Sequence, residues 1–159
     1  MFPIASFPAV PVRRVALLAG FLATAAFSAA AKQPQPVSIW THTERVCTGP
    51  ASCVFVATGA IVDGGTVTLD SVNATALPSP TVGTAHYVKT FHGVAGTLTI
   101  KLESMITGTS DPLLWNEKGN WIIVSGTGAY AQLLGEGKET GTRDFGNQSL
   151  DAVYTGQVH

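Results

Sequence analysis

Short segments in which apolar and polar residues alternate recur along this chain from residue 37 to its end. The clearest covers residues 97–106, where Leu98, Ile100 and Leu102 share one face and threonine, lysine and glutamate share the other. Successive side chains of a β-strand point to opposite faces, so this period of two is typical of strands with one buried face. The pattern predicts an all-β protein.

Eight such strands are predicted, and no amphipathic helix of ordinary length accompanies them. Asp63-Gly64-Gly65 is predicted to form a hairpin turn, and residues 73–83 and 107–119 are predicted to be loops. Eight is also the number of strands at which a closed barrel encloses side chains or one small ligand. We therefore predict an eight-stranded antiparallel, calycin-like barrel over residues 37–159. The predicted strands cover residues 37–46, 53–62, 66–72, 86–92, 97–106, 121–125, 136–143 and 150–158.

The first 31 residues have the composition of an export signal. Arg13 and Arg14 precede an uncharged run over residues 15–30, and Ala29 to Ala31 provide the small side chains that signal peptidase accepts. The alternative is a membrane anchor, but sixteen helical residues span only about 24 Å of a ~30 Å hydrocarbon core. We predict a signal peptide over residues 1–31, a linker over 32–36 and a periplasmic or secreted location.

The charge of the chain after cleavage excludes some partners. Seven Lys and Arg remain against ten Asp and Glu once Arg13 and Arg14 leave with the signal, and no basic run is left. This balance argues against nucleic acid and anionic membrane surfaces as partners. No integral membrane segment is expected after cleavage.

The two cysteines, Cys47 and Cys53, flank a Gly-Pro turn. In an oxidising compartment this spacing predicts a disulfide. A zinc site would need four ligands, and a redox-active pair is normally separated by two residues rather than five. A structural bridge is therefore predicted, and no metal site.

The sharpest motif lies over residues 126–137. Thr127 is a candidate N-cap, Tyr130, Leu133 and Leu134 fall at positions i, i+3 and i+4, and Gly135 fits the position after a helix end. A positive φ is expected at Gly128 and at Gly135. The pattern predicts one helical turn that lays its apolar stripe over a barrel mouth. The residues of this structural turn motif are Gly126, Thr127, Gly128, Tyr130, Leu133 and Gly135.

Gly126, Gly128 and Ala131 also satisfy the G-x-G-x-x-G/A pattern of dinucleotide-binding proteins. That fingerprint requires a full helix and then a parallel strand with an acidic residue about 20 positions on. Here Gly135 and Gly137 end the helix after one turn, so no cofactor is predicted.

The same stretch, residues 121–137, resembles the W-x-V-x-x-G-T-G-x-L-x-x-L-x-G-x-G segment of a bacterial family of the allene oxide cyclase and dirigent-like barrels. Residues 91–98 and 149–154 are similar to that family in the same order. The resemblance implies an eight-stranded antiparallel barrel. Plant cyclases of this superfamily isomerise an unstable fatty-acid epoxide, and dirigent proteins steer the radical coupling of phenols. The matching residues are turn and packing residues, so the resemblance carries no catalytic residue.

The first strand offers candidate ligand-binding residues. Trp40, His42 and Glu44 alternate on one face and form an aromatic, base and acid set. The opposite face carries Ile39 and Thr41, so the direction in which each face points stays open. The alternative is an exposed polar face. No catalytic residue is predicted.

Three functions fit this sequence. The favoured one is a binding module that holds a small apolar ligand in the barrel lumen, with the Tyr130 turn as a lid. The second is a cyclase or isomerase acting on a reactive fatty-acid-like or phenolic intermediate, which needs few polar groups. The third is a structural or interaction barrel with a lumen filled by its own side chains. Oligomeric members of the superfamily leave homo-oligomers open.

The mature protein is predicted to begin at Lys32, because signal peptidase cleaves after the small residue of a small-x-small site. N-terminal sequencing of secreted or periplasmic material should therefore start at or next to Lys32. A full-length species in the membrane fraction would contradict the signal peptide.

Overall fold

The computed structural model describes residues 33–47, 52–79 and 81–159. The predicted signal peptide lies outside these residues. Over the described residues the chain forms eight strands, and β1 begins within the predicted linker. The strands are β1 (Gln35–Glu44), β2 (Cys53–Gly59), β3 (Asp63–Ser79), β4 (Val82–Gly93), β5 (Thr97–Gly108), β6 (Leu114–Gly126), β7 (Gly135–Asp144) and β8 (Ser149–Val158).

The strands close into a barrel in which each pairs antiparallel with its neighbours in the chain. The last strand, β8, closes the ring on β1 in a register that runs from Gln35↔Val158 to Glu44↔Ser149. Closure gives every strand a partner on each side, but the β2–β3 ladder covers only Val54↔Thr66 to Ala57↔Asp63, and the rest of β3 pairs with β4. The predicted eight-stranded antiparallel barrel is confirmed.

Two predicted loops are largely strand. The β3–β4 ladder continues through Thr75↔Thr84, so most of residues 73–83 is paired backbone. In the same way, Asn116 pairs with Thr107 on β5 and with Thr142 on β7, and the loop at 107–119 shrinks to residues 109–113. Pairing with neighbouring strands holds these segments in β-structure although they lack an apolar alternation.

The predicted hairpin turn at Asp63-Gly64-Gly65 is also wrong, because β3 begins at Asp63 and the connection from β2 occupies residues 60–62. Gly65 pairs with Gly93 on β4, and a Cβ at Gly65 would collide with the carbonyl oxygen of His92. The glycines therefore serve close strand pairing at this position rather than a turn.

Aromatic side chains fill one end of the barrel, which we call the closed end. It carries the connections after β2, β4 and β6. Phe91 packs edge-on against Phe55 and Tyr154, with ring centroids 5.3 and 5.9 Å apart. Ile39 and Leu98 complete this part of the core. The opposite end carries the connections after β1, β3, β5 and β7, and we call it the disulfide end.

The predicted helical turn is confirmed as a single 3₁₀ turn, Gly128–Tyr130, at the closed end. Tyr130 is buried and Leu133 packs against the core. Leu134 is exposed, so its predicted place in the buried apolar stripe is wrong. Thr127 occupies the N-cap position without a capping side-chain bond, and its hydroxyl instead accepts from the Thr97 N–H at 3.0 Å. No helix among the described residues is long and apolar enough to cross a membrane.

Asp63 fastens the turn to the barrel. Its carboxylate accepts the Tyr130 hydroxyl at 2.6 Å and the backbone N–H groups of Gly64, Val94 and Ala95 at 2.8 to 3.1 Å. The Tyr130 hydroxyl and these N–H groups lower the pKa of Asp63 to about 2, because they stabilise the charged form. One carboxylate at the start of β3 thus fastens the β4–β5 connection and the turn.

The two glycines that flank the turn have different roles. Gly128 adopts a φ of +58°, as expected of a left-handed glycine, and a Cβ there would collide with the Ala95 carbonyl oxygen. Gly135 does not adopt a left-handed φ and begins β7 instead. The expectation of a positive φ at Gly135 is therefore wrong. A Cβ on Gly135 would still lie 2.7 Å from the Gln157 carbonyl oxygen, so a small residue is required.

Gly128→Val should lower the free energy of unfolding by about 1 to 3 kcal/mol, because valine is strained at positive φ and collides with Ala95. Gly108→Val is the control, since the nearest heavy atoms to a Cβ there are 3.7 Å away. Urea unfolding followed by circular dichroism measures both. Equal losses in the two variants would show that the turn has no special backbone requirement.

Candidate functional site

Strand alternation directs four charged side chains into the lumen: Lys89 from β4, Glu117 from β6, and Glu139 and Arg143 from β7. Lys89, Glu117 and Glu139 are 4%, 0% and 1% exposed. Burying a charge is costly unless it is paired, and two residues of each sign here share one region of the lumen. We call these four residues the charged layer.

Arg143 and Glu117 form the ion pair of the layer, with Nη2 of Arg143 3.0 Å from Oε2 of Glu117. The same Nη2 donates to the Tyr87 hydroxyl at 3.2 Å. Burial and the charge of Glu117 raise the pKa of Tyr87, so this phenol stays neutral. Glu117 raises the pKa of Arg143 against the opposing effect of burial. This part of the layer is therefore a fixed, charged hydrogen-bond network.

Lys89 has a different environment. Its Nζ donates to the hydroxyl of Tyr154 at 2.8 Å and lies 5.2 and 5.5 Å from the ring centroids of Tyr87 and Tyr154. Burial lowers the pKa of Lys89, while Glu117 and Glu139 act in the opposite direction. Burial also raises the pKa of Tyr154 well above its ordinary value, so a neutral phenol faces the amine.

Glu139 is the second carboxyl of the layer, and Ser104 donates its hydroxyl to Oε2 at 3.1 Å. Burial and the charge of Glu117 raise the pKa of Glu139 to about 7. A carboxyl group with this pKa can exchange a proton near neutral pH, which is the property required of a general acid or base.

Part of the layer's hydrogen-bonding capacity is unused by the fold. Oε1 of Glu117, Oε1 of Glu139 and Nε of Arg143 are buried without a hydrogen-bond partner among the described residues. Leaving a buried polar atom unpaired costs about 1–3 kcal/mol, so such atoms are rare where packing alone decides the residue. Their concentration in one layer makes it the candidate functional site.

A cavity of about 540 Å³ lies between this layer and the disulfide end. Tyr87, Lys89 and Arg143 line it from the layer, and its walls are largely apolar. Its size is within the range of small-molecule sites. The apolar lining residues of the cavity include Val67, Leu69, Val72, Ala74, Ile106, Phe145 and Leu150.

The cavity and the 3₁₀ turn lie at opposite ends of the barrel. Tyr130 lines only a narrow gap of about 10 Å³ at the closed end. The expectation that the Tyr130 turn forms a lid over the ligand site does not agree with this placement. The turn is a plug because its tyrosine fills the end that the aromatic core already closes.

The predicted Cys47–Cys53 disulfide is present, and both cysteines line the cavity. It closes the connection between β1 and β2 at the rim. Within the described ranges, no group of three or more His, Cys, Asp or Glu side chains could hold a metal ion.

The three candidate residues on β1 do not join the charged layer. Ile39 and Thr41 are buried, so Trp40 and His42 lie on the outer face, where Trp40 is 41% exposed and His42 pairs with Asp151 at 2.9 Å. Glu44 lies at the end of β1 and lines the cavity. A ligand-binding role for the three stays a prediction, and Glu44 is the one placed beside the cavity.

Sequence reasoning does not find the charged layer, because the segment of β7 is polar and rich in glycine. Its alternate residues are Gly135, Gly137, Glu139, Gly141 and Arg143, and these point inward. Glycines on one face of a strand indicate that neighbouring side chains or backbone occupy the space a side chain would fill. Glu139 and Arg143 share a strand face with these glycines, and this pattern is the sequence signal for charged side chains inside the barrel.

No family model matches the chain, and comparison with curated proteins and with solved structures gives no match either. The functional argument therefore depends on the geometry of the cavity and the charged layer.

Glu139→Gln should remove a pH dependence of stability. The pKa of Glu139 is about 7 in the fold, against an ordinary glutamate pKa of 4.5. Between these two pH values, Glu139 keeps a proton in the folded protein that the unfolded chain releases. Its contribution to stability is therefore full below pH 4.5 and is lost as the pH rises to about 7. The parent should lose roughly 1 kcal/mol or more across this window relative to Glu139→Gln.

Urea unfolding at several pH values between 4.5 and 7.5 measures the difference. Glu136→Gln is the matched control, because Glu136 is an exposed carboxyl on the same strand. If Glu139→Gln and Glu136→Gln follow the pH profile of the parent, Glu139 is not protonated in the fold near neutral pH.

Proposed function

We propose that the protein is exported and that its barrel is a container for a small, largely apolar molecule that carries one polar group. The single observation behind the container function is the cavity of about 540 Å³ at the disulfide end. A closed barrel of eight strands can hold one small ligand, and this volume matches such a ligand.

The residues that line the cavity suit both the apolar body and the polar group of this ligand. Val67, Val72 and Ile106 offer apolar contact to a hydrocarbon body. At the layer, Arg143 carries an unpaired buried Nε, and Lys89 and Tyr87 add further polar atoms. A few polar groups at one side of an apolar pocket fix the orientation of a ligand.

A lumen filled by its own side chains is less well supported. The aromatic packing of Phe55, Phe91 and Tyr130 fills the closed end, but the disulfide end keeps a cavity of ligand size. The disulfide, which holds the β1–β2 connection at the rim, suits an oxidising compartment.

A cyclase or isomerase is the second candidate, and one observation favours it. Glu139, with a pKa of about 7, shares the layer with residues that line the cavity. An acid or base with a pKa near neutral pH could move a proton on a reactive intermediate held in the cavity. Turnover of an unstable fatty-acid epoxide that is lost in Glu139→Gln and kept in Glu136→Gln would support this function.

We also propose that the chain belongs to the allene oxide cyclase and dirigent-like superfamily. The motifs over residues 91–98, 121–137 and 149–154 and the closed eight-stranded barrel support this membership.

The container function predicts that the protein binds N-phenyl-1-naphthylamine, an uncharged dye that fluoresces in apolar surroundings. Ile106→Trp should weaken binding at least tenfold, a loss of about 1.4 kcal/mol, because the indole would occupy cavity volume. Met105→Trp is the matched control, since Met105 is exposed on the outer face of the same strand. Fluorescence titration measures binding, and thermal melting checks that each variant folds.

Two results would contradict the container function. In one, the parent protein does not enhance the fluorescence of the dye. In the other, Met105→Trp weakens binding as much as Ile106→Trp, which would locate the dye on the outer surface.

A further inference from the structure

Lys89 is expensive to bury, and no carboxylate among the described residues forms an ion pair with it. Its Nζ has the neutral hydroxyl of Tyr154 as hydrogen-bond partner, whereas the ion pair of the layer joins Glu117 to Arg143. An apolar side chain of similar length would fill the same space without the desolvation cost of an ammonium. A lysine in such a position is a candidate for chemistry rather than for packing.

The position of Lys89 also gives it access to a ligand. It points inward from the middle of β4, is 4% exposed and lines the apolar cavity together with Tyr87. A desolvated lysine in an apolar pocket is the usual setting for an amine that reacts with carbonyl compounds. Nothing else in the cavity combines a nucleophilic nitrogen with apolar walls among the residues that the structure describes.

The groups around Lys89 determine how much free amine it presents. Burial and the charge of Arg143 on β7 lower its pKa, and Glu117 on β6 and Glu139 on β7 raise it. Tyr87 on β4 and Tyr154 on β8 contribute neutral phenols. By contrast, an exposed lysine with a pKa of about 10.4 is a free amine in only about one molecule in 2,500 at pH 7.

We propose that Lys89 captures small apolar aldehydes and ketones as imines inside the barrel. This rests on the proposed container function, because the carbonyl compound must first occupy the cavity. Two features of the site define this class of ligand. The apolar walls accept a hydrocarbon body, and the amine of Lys89 reacts with a carbonyl carbon.

The reaction is balanced without an oxidant or reductant. The nitrogen lone pair of Lys89 attacks the carbonyl carbon, the C–N bond forms and the carbonyl oxygen takes a proton, which gives a carbinolamine. The C–O bond then breaks, both amine hydrogens and the oxygen leave as one water molecule, and a C=N bond remains. Tyr154 positions the amine through its hydrogen bond of 2.8 Å.

The test is trapping with octanal and cyanoborohydride at pH 7. Cyanoborohydride reduces an imine to a stable secondary amine, so intact mass spectrometry counts the octyl groups added. Peptide mapping should locate the first adduct at Lys89, with exposed Lys101, Lys118 and Lys138 labelled at least tenfold more slowly. The α-amino group, with a pKa near 8, is the competing amine, and mapping separates its adduct from that of Lys89.

Two variants and a pH series sharpen the test. Lys89→Met should lose the fast adduct, while Lys101→Met, a change at an outward lysine of β5, should keep it. The labelling rate of Lys89 should persist to lower pH than that of Lys101. If Lys89→Met does not fold, the mapped rates in the parent protein decide the matter. Equal rates and equal pH profiles for Lys89 and Lys101 would overturn the proposal.

Octanol separates this inference from the container function, because it has the same chain length and cannot form an imine. Displacement of N-phenyl-1-naphthylamine by octanol, together with a fast Lys89 adduct from octanal, supports both proposals. Displacement by octanol without a Lys89 adduct overturns imine capture and leaves the container function in place. Failure of the dye to bind at all overturns both.

Discussion

The pairing of β8 with β1 is the constraint on which the other features depend. Ten residue pairs close the ring, and closure gives every strand one face that points into a lumen of limited width. An inward side chain must fit that space, and an inward polar group must find its partner inside the ring. Neither constraint applies to outward residues such as Trp40, which can be exposed to solvent.

The charged layer is the consequence of closure that bears most on function. Glu117 has Arg143 as a partner, Lys89 has Tyr154 and Glu139 has Ser104, yet buried polar atoms on three of these side chains remain unpaired. A core selected for stability alone would contain apolar residues at these positions. The layer lies between the aromatic core of the closed end and the cavity, and Lys89 and Arg143 are its members that line the cavity.

The two ends of the barrel are held by different means. At the closed end, Asp63 at the start of β3 fastens the β4–β5 connection and the 3₁₀ turn through hydrogen bonds to Val94, Ala95 and Tyr130, and Tyr130 fills the space beneath. At the other end, the Cys47–Cys53 disulfide restrains the β1–β2 connection at the rim of the cavity. A covalent link can restrain a rim without filling the mouth, whereas a buried tyrosine cannot. This difference explains why the cavity lies at the disulfide end.

The sequence by itself determined what depends on neighbours in the chain. Alternation predicted the eight strands, the spacing of Cys47 and Cys53 predicted their bridge, and the glycine pattern predicted the turn and the left-handed φ of Gly128. The tertiary structure alone decided which face of β1 points inward and that Lys89 and Glu117 meet in one layer. β4 and β6 are separated by β5 in the ring, and alternation along each strand gives no sign that these two residues share a layer, because pairing partners and burial are set across strands rather than along them.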